Sequence, residues 1–161
     1  MIKVLSTNLF LMFFLLKGYL YSIEPPKTLI ISDLQVSEID LEVEINDSLS
    51  LHYDGWLFDK NVKTENYCDA KGKKFDSSSD KQFRPSPNLF KFKIGKGLVI
   101  PGWELGLLKM KKGGIRCLVI PYQLAYGHRE IKSQRSKGNL IPAYSTLIVE
   151  VQLIDIFKSK K

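Results

Sequence analysis

Polar and apolar positions alternate along much of the chain, and a period of two predicts strands. Ser48-Leu49-Ser50-Leu51-His52-Tyr53 places Leu49, Leu51 and Tyr53 on one face, and Phe90-Lys91-Phe92-Lys93-Ile94 repeats the alternation. Near the end, Leu147, Val149, Val151 and Leu153 share a face, with Glu150 and Gln152 on the other. Gly113-Gly114 marks a turn, and Ile115 to Ile120 is a short β-branched run after it. One stretch has helical spacing instead. From Pro101 to Met110, Trp103, Leu107 and Met110 recur on one face, and the proline suits a first helical turn. Lys60 to Lys74 and Gly127 to Leu140 are polar and charged, and are expected to be irregular. The pattern predicts an α+β fold in which an antiparallel sheet folds over one short helix.

The first residues break this pattern. Met1-Ile2-Lys3 brings a positive charge, Leu9 to Leu16 is solidly apolar, Lys17-Gly18 interrupts, and Ser22-Ile23-Glu24-Pro25-Pro26 follows. A charged start, a short apolar core and a small residue at Ser22 predict a secretory signal peptide over 1–22, an uncleaved anchor being the alternative. The apolar run falls short of the about 20 residues that span a bilayer. The chain thus divides into that signal peptide, an N-terminal extension over 23–45 with room for an edge strand, one domain over 46–158 and a basic tail at 159–161. A length of 161 residues, 44% hydrophobic and 25% charged, fits one globular domain and excludes disorder or a coiled coil. Phe157-Lys158-Ser159-Lys160-Lys161 is not a KDEL-type ending. The expected location is the endoplasmic-reticulum lumen or the exterior, with onward targeting through residues 23 to about 45 left open.

The net charge is +7, and it becomes +5 once Lys3 and Lys17 are removed with the signal peptide. The remaining cations lie in turns, a loop and the tail: Lys71, Lys73 and Lys74; Lys109, Lys111 and Lys112; Arg129, Lys132, Arg135 and Lys137; Lys158, Lys160 and Lys161. Few aromatics interleave with them and no nucleic-acid motif accompanies them, so solvated surface is the better reading and no nucleic-acid partner is expected. His52 and His128 are the only histidines and have no metal-ligand spacing; GxSxG, the P-loop and GxGxxG are missing. No metal or cofactor is expected. Cys68 and Cys117 could pair in an oxidising compartment, which the sequence does not decide. Asn46-Asp47-Ser48 fits either a glycosylation acceptor or a polar turn. In place of hydrolytic chemistry the chain carries Tyr53, Trp56, Phe75, Phe90, Phe92, Trp103 and Tyr126 around loops and strand ends, with Asp76 beside Phe75. Such a set could line an apolar pocket holding a few polar groups.

These residues resemble a known family. Leu51-His52-Tyr53-Asp54-Gly55, then Gly72-Lys73-Lys74-Phe75-Asp76-Ser77-Ser78, Phe90-Lys91-Phe92, Val99-Ile100-Pro101-Gly102-Trp103-Glu104, Ala125-Tyr126-Gly127 and Ile141-Pro142 before Thr146-Leu147 follow the order of the FKBP-type immunophilins. The similarity runs from about Ser48 to Phe157, and the secretory start is most like the small endoplasmic-reticulum members. It implies a curved antiparallel sheet wrapping a short helix, and peptidyl-prolyl cis-trans isomerase activity that assists protein folding. By resemblance Tyr53, Asp76, Trp103 and Tyr126 are the catalytic set, Trp103 forming the floor under the substrate proline. Phe75, Phe90, Val99, Ile100 and Val149 would line the walls, with Ile141 at the rim. The Tyr126 hydroxyl and the Ile100 backbone N–H would bond substrate carbonyls. Implied partners are proline-containing polypeptides and macrolides of the FK506 and rapamycin type, bound by a monomer. Val149 stands where many members carry an aromatic residue. The basic residue expected after the Asp-Ser-Ser segment is Lys81 or Arg84, and the loop from His128 to Asn139 is longer and more basic than usual. A binding module that docks a partner through the pocket or this loop is the alternative function.

Overall fold

The computed structural model describes residues 22–83, 86, 88–132 and 139–160. The signal-peptide segment up to residue 21, together with Arg84, Arg135, Lys137 and Lys161, lies outside the described residues. In chain order the strands are β1 (Ile30–Gln35), β2 (Ser48–Phe58), β3 (Lys71–Ser77), β4 (Phe90–Lys93), β5 (Ile115–Ile120), β6 (Ile131–Lys132), β7 (Asn139–Ile141) and β8 (Leu147–Phe157); one α-helix, α1, spans Pro101–Gly106.

Six strands form one antiparallel sheet in the order β1-β5-β8-β2-β3, with β4 also on β2. The long strand β2 serves two partners along one edge: Ser48 to Leu51 pair with β4, and Asp54 to Phe58 pair with β3. The β2–β3 ladder shifts register after Gly55 and again after Trp56. Such bulges turn a strand and re-aim its side chains. β6 and β7 form a separate two-stranded ribbon.

The helix packs on one face of the sheet, over β5. A Cβ at Gly102 would lie 2.4 Å from Ile120 Cγ2, so only glycine lets the helix approach this closely. Trp103, Leu107 and Met110 are all buried as the spacing predicts, but the helix stops at Gly106 instead of continuing to Met110. Lys109 adopts φ 61, and the chain turns away so that the Lys109 N–H and Met110 carbonyl bond Val43. The guanidinium of Arg116 donates to the carbonyls of Gly106 (2.9 Å) and Leu108 (3.0 Å), satisfying acceptors that a helix end leaves open. The same group forms an ion pair with Asp33 on β1.

Strand β5 is buried on both faces. Leu118 and Ile120 join Leu49, Leu51, Leu147, Val149, Val151 and Leu153 in the main core around the helix. Cys117 and Val119 face a second cluster with Cys68, Ala70 and Ile148, covered by Ile23, Ile30, Trp56, Phe58 and Tyr67. The alternation along β8 suggested one apolar face, whereas Ile148 on the other face is fully buried too. Part of its cover comes from the segment Lys60 to Lys74, expected to be irregular. Part of that segment is a 3₁₀ turn at Tyr67–Asp69 that tucks Cys68 under the sheet, and Lys71 already belongs to β3. A disulfide joins Cys68 to Cys117 there. Asn46 sits in the tight turn before β2 with φ 72, its N–H bonded to the Ile94 carbonyl.

Candidate active site

Trp103 enters the site from the first turn of α1. Pro101 presets the backbone angle of that turn, and the Ile100 carbonyl accepts the Trp103 N–H at 2.9 Å. Around the indole the sheet supplies rings at close range. Tyr53 stands edge-on to Trp103 with centroids 5.1 Å apart, Phe90 edge-on at 5.8 Å, and Phe92 tilted at 6.0 Å. Edge-to-face contacts of this kind hold rings in fixed orientations beyond what simple burial achieves.

Tyr53 is fixed at both ends. Its N–H donates to Ser78 Oγ at 2.9 Å and its carbonyl accepts the Ser78 N–H at 3.0 Å. His52 shares the same serine, with Nδ1 3.0 Å from Ser78 Oγ. At the far end the Tyr53 hydroxyl donates to Asp76 Oδ2 at 2.5 Å, while Asp76 Oδ1 accepts the Ser77 N–H at 2.8 Å. Phe75 lies against Gly55, where a Cβ would come within 2.6 Å of the ring. The glycine therefore sets how deeply Phe75 sits.

Together these groups enclose a cavity of about 500 Å³. Of the sequence-predicted residues, Tyr53, Phe75, Asp76, Phe90, Val99, Ile100, Trp103, Tyr126 and Val149 all line it. Ile141 does not: it is 2% exposed and packed in the main core, because its pairing with Ile131 in the β6–β7 ribbon turns it inward. Seven further positions, Gly55, Gly97, Leu98, Pro101, Ala125, Arg129 and Leu147, also contribute. Leu98 is 66% exposed and forms part of the rim. Glu104 braces the turn leading to Val99 and Ile100 by accepting the N–H groups of Gly95 (2.5 Å) and Gly97 (2.9 Å). Ser78 and Glu104 stood inside the quoted motifs, but their bracing roles depend on partners far away in sequence.

Tyr126 follows the 3₁₀ turn Tyr122–Leu124, and Gly127, at φ 64, bends the chain so that its N–H returns to the Tyr122 carbonyl at 2.8 Å. Burial, and then the nearby Asp76 charge, push the Tyr126 hydroxyl above its ordinary range, so it stays a donor at neutral pH. Among the described residues no three His, Cys, Asp or Glu side chains gather as a metal site. The arrangement offers an apolar aromatic bowl, one hydroxyl donor, and a carboxylate tied back to the wall. It presents no activated nucleophile. Its geometry suits binding a compact apolar ring and orienting the polar chain that carries it.

The model of the FKBP-type peptidyl-prolyl cis-trans isomerase family matches residues 40–154. The chain is 40% identical over 140 residues to FK506-binding protein 2B of Rhizopus delemar, a match covering 85% of this chain and 56% of that protein. It is 37% identical over 131 residues to the FK506-binding protein of Neisseria meningitidis serogroup C, covering 81% of this chain and 98% of that one. With FK506-binding protein 2 of Dictyostelium discoideum it shares 40% identity over 119 residues, 74% of this chain and 72% of the other.

Proposed function

Since the chain belongs to the FKBP-type peptidyl-prolyl cis-trans isomerases, we propose that the pocket over Trp103 turns Xaa-Pro bonds in chains folding in the secretory pathway. Rotation about a peptide bond is opposed by a barrier of about 18–20 kcal/mol, because resonance stiffens the C–N bond. The twisted amide loses that resonance, and its carbonyl loses polarity. An apolar bowl favours this less polar state over the planar amide, so the pocket binds the transition state better than the ground state. An acceleration of about 10⁴-fold requires roughly 5–6 kcal/mol of such preference. No proton has to move, so Asp76 serves as an oriented carboxylate near the twisting bond and Tyr53 holds it there.

In this reading the proline ring lies on Trp103, walled by Tyr53, Phe75, Phe90, Val99, Ile100 and Val149. The Tyr126 hydroxyl and the Ile100 N–H hold the flanking carbonyls. The observation that carries it is the convergence of Trp103, Phe90, Phe75 and the Tyr53–Asp76 pair on one cavity from four separate chain segments. Macrolides of the type named for the relatives would compete for the same bowl, with Val149 leaving one corner open. The secretory assignment draws support from the apolar, charge-led N-terminus and from the Cys68–Cys117 disulfide, since such bonds persist in oxidising compartments.

The test is a proline-limited refolding assay and a peptide isomerisation assay on residues 23–161. Wild type should accelerate both, and Trp103→Ala and Asp76→Ala should each lower the rate by about tenfold or more. No acceleration by wild type, or unchanged rates in both variants, overturns the site. For the compartment, the expressed full-length chain should be recovered outside the cytosol with its N-terminus processed near Ser22. Recovery unprocessed from the cytosol overturns that part alone.

A further inference from the structure

A second cavity, of about 510 Å³, lies beside the first and has no part in the isomerisation described above. It is built where the N-terminal extension crosses the end of β2: Pro25 and Pro26 form one side, Phe58 and Pro142 contribute apolar surface, and Tyr122 and Tyr144 stand edge to face with centroids 5.4 Å apart. Two features mark it as more than a packing gap. Tyr144 is 64% exposed and holds a left-handed backbone, φ 59, which a bulky side chain adopts rarely and where asparagine or glycine would sit more easily. The turn thus holds an exposed aromatic ring at the cavity in a strained backbone conformation, the kind of outlier that motivates a functional hypothesis. The second feature is charge. Lys27 and Lys60 both line the cavity and are exposed, no carboxylate is among the described residues lining it, and neither ammonium has an ion-pair partner among the described residues.

Aromatic-lined grooves are the surfaces on which extended proline-containing segments dock, and lysines lining such a groove favour acidic neighbours. We propose that this groove is a second peptide-binding site, for an extended acidic segment that contains proline. The two cavities share their dividing wall. Tyr122 and Gln123 line the second, Ala125 and Tyr126 the first; Thr146 lines the second and Leu147 the first. The Tyr144 N–H donates to the Gly127 carbonyl at 2.9 Å, next to Tyr126. A client held in the groove therefore presents its neighbouring Xaa-Pro bonds to the Trp103 bowl at high effective concentration. That consequence rests on the isomerase reading; binding in the groove does not.

The experiment is a fluorescence-anisotropy titration of residues 23–161 with a short labelled peptide of alternating proline and glutamate. Tyr144→Asn keeps the backbone N–H and suits the left-handed conformation, so the fold is retained; it should weaken binding about fivefold. Lys60→Glu should weaken it about fivefold at low salt and less near 0.5 M salt. A peptide with glutamine in place of glutamate should bind more weakly to wild type. Turnover of an Xaa-Pro tetrapeptide should stay unchanged in both variants, whereas catalysed refolding of an acidic protein client should slow. The proposal is overturned if the peptide does not bind, if neither variant weakens it, or if the glutamine peptide binds equally well. A preference for a neutral oligosaccharide over the peptide overturns it too. Loss of tetrapeptide turnover in wild type would sink the isomerase reading and leave the groove standing.

Discussion

Removing the disulfide is the perturbation whose size the structure states most directly. Cys68 and Cys117 are 49 residues apart in sequence and are 2% and 0% exposed. Closing a loop of that length in the unfolded chain costs entropy worth about 4 kcal/mol in the chain-entropy treatment. The Cys68→Ala/Cys117→Ala double variant restores that freedom to the unfolded state and should lose about that much stability. With a urea slope of about 2 kcal/mol/M, the unfolding midpoint falls by about 2 M. Trp56 and Trp103 are the only tryptophans, so intrinsic fluorescence reports both faces of the sheet during the titration. Reduced wild type should unfold at the variant's midpoint, and a reductant should leave the variant unmoved. Isomerase turnover without denaturant should survive, because Cys117 faces the second cluster while Leu118 and Ile120 face the pocket side. A midpoint shift below about 0.5 M would refute the loop-closure reasoning. Loss of turnover in a fully folded variant would refute the separation of the two faces.

Two further outcomes test the site's frame and the C-terminal clasp. Gly55→Ala places a methyl group within 2.6 Å of the Phe75 ring, so the ring must shift from its place in the bowl wall. Thermal unfolding should report a loss of about 1–3 kcal/mol, and kcat/KM on a tetrapeptide should fall; full activity with unchanged stability would show that the glycine is not required. The second outcome concerns acid. Burial alone would raise the Asp47 carboxyl, but hydrogen bonds from Lys158 and from the N–H groups of Glu44 and Ser159 outweigh it and hold it below the usual range. A carboxyl depressed in the folded state stabilises above its unfolded value, near 3.8, and that stability is lost as pH falls through the folded value. Urea midpoints measured from neutral pH downward should therefore drop below about pH 4, and less so in Lys158→Ala, where the clasp is already open. Equal acid sensitivity in the two proteins would remove Asp47 from the account.

The period-two patterns of β2, β4 and β8 were legible where each strand lays an apolar face on the main core and its other face is more open, as from Val149 to Leu153. β5 hid its second buried face for the same reason: continuous apolar residues do not say what covers each side. The cover comes from Cys68 and Ala70, whose burial is set by long-range packing and not by local pattern. Strand β1 left little trace, since Ile31 and Leu34 remain about half exposed and Asp33 points to Arg116. The aromatic residues were visible as a set, but their convergence rested on family resemblance because they are scattered between residues 53 and 126. Ile141 shows the limit of carrying a role across by motif. Its position matches, yet the local ribbon turns its side chain into the core. The left-handed backbone at Tyr144 has no signature at all in a sequence that places tyrosine there.

Arg116 ties two parts of the chain that the family boundary separates. Its guanidinium is 8% exposed and reaches Asp33 in the extension on one side and the carbonyls at the end of α1 on the other. The opposite end of that helix seats Trp103. A chain trimmed to the segment the family model covers, from residue 40, would keep every residue lining the bowl and lose the only carboxylate that pairs with this cation among the described residues. A nearly buried positive charge would then face the helix end with its neutralising partner gone. The working unit of this isomerase is therefore larger than the segment its ancestry marks out, and the extension behaves as a fitted keystone beneath the floor of the bowl.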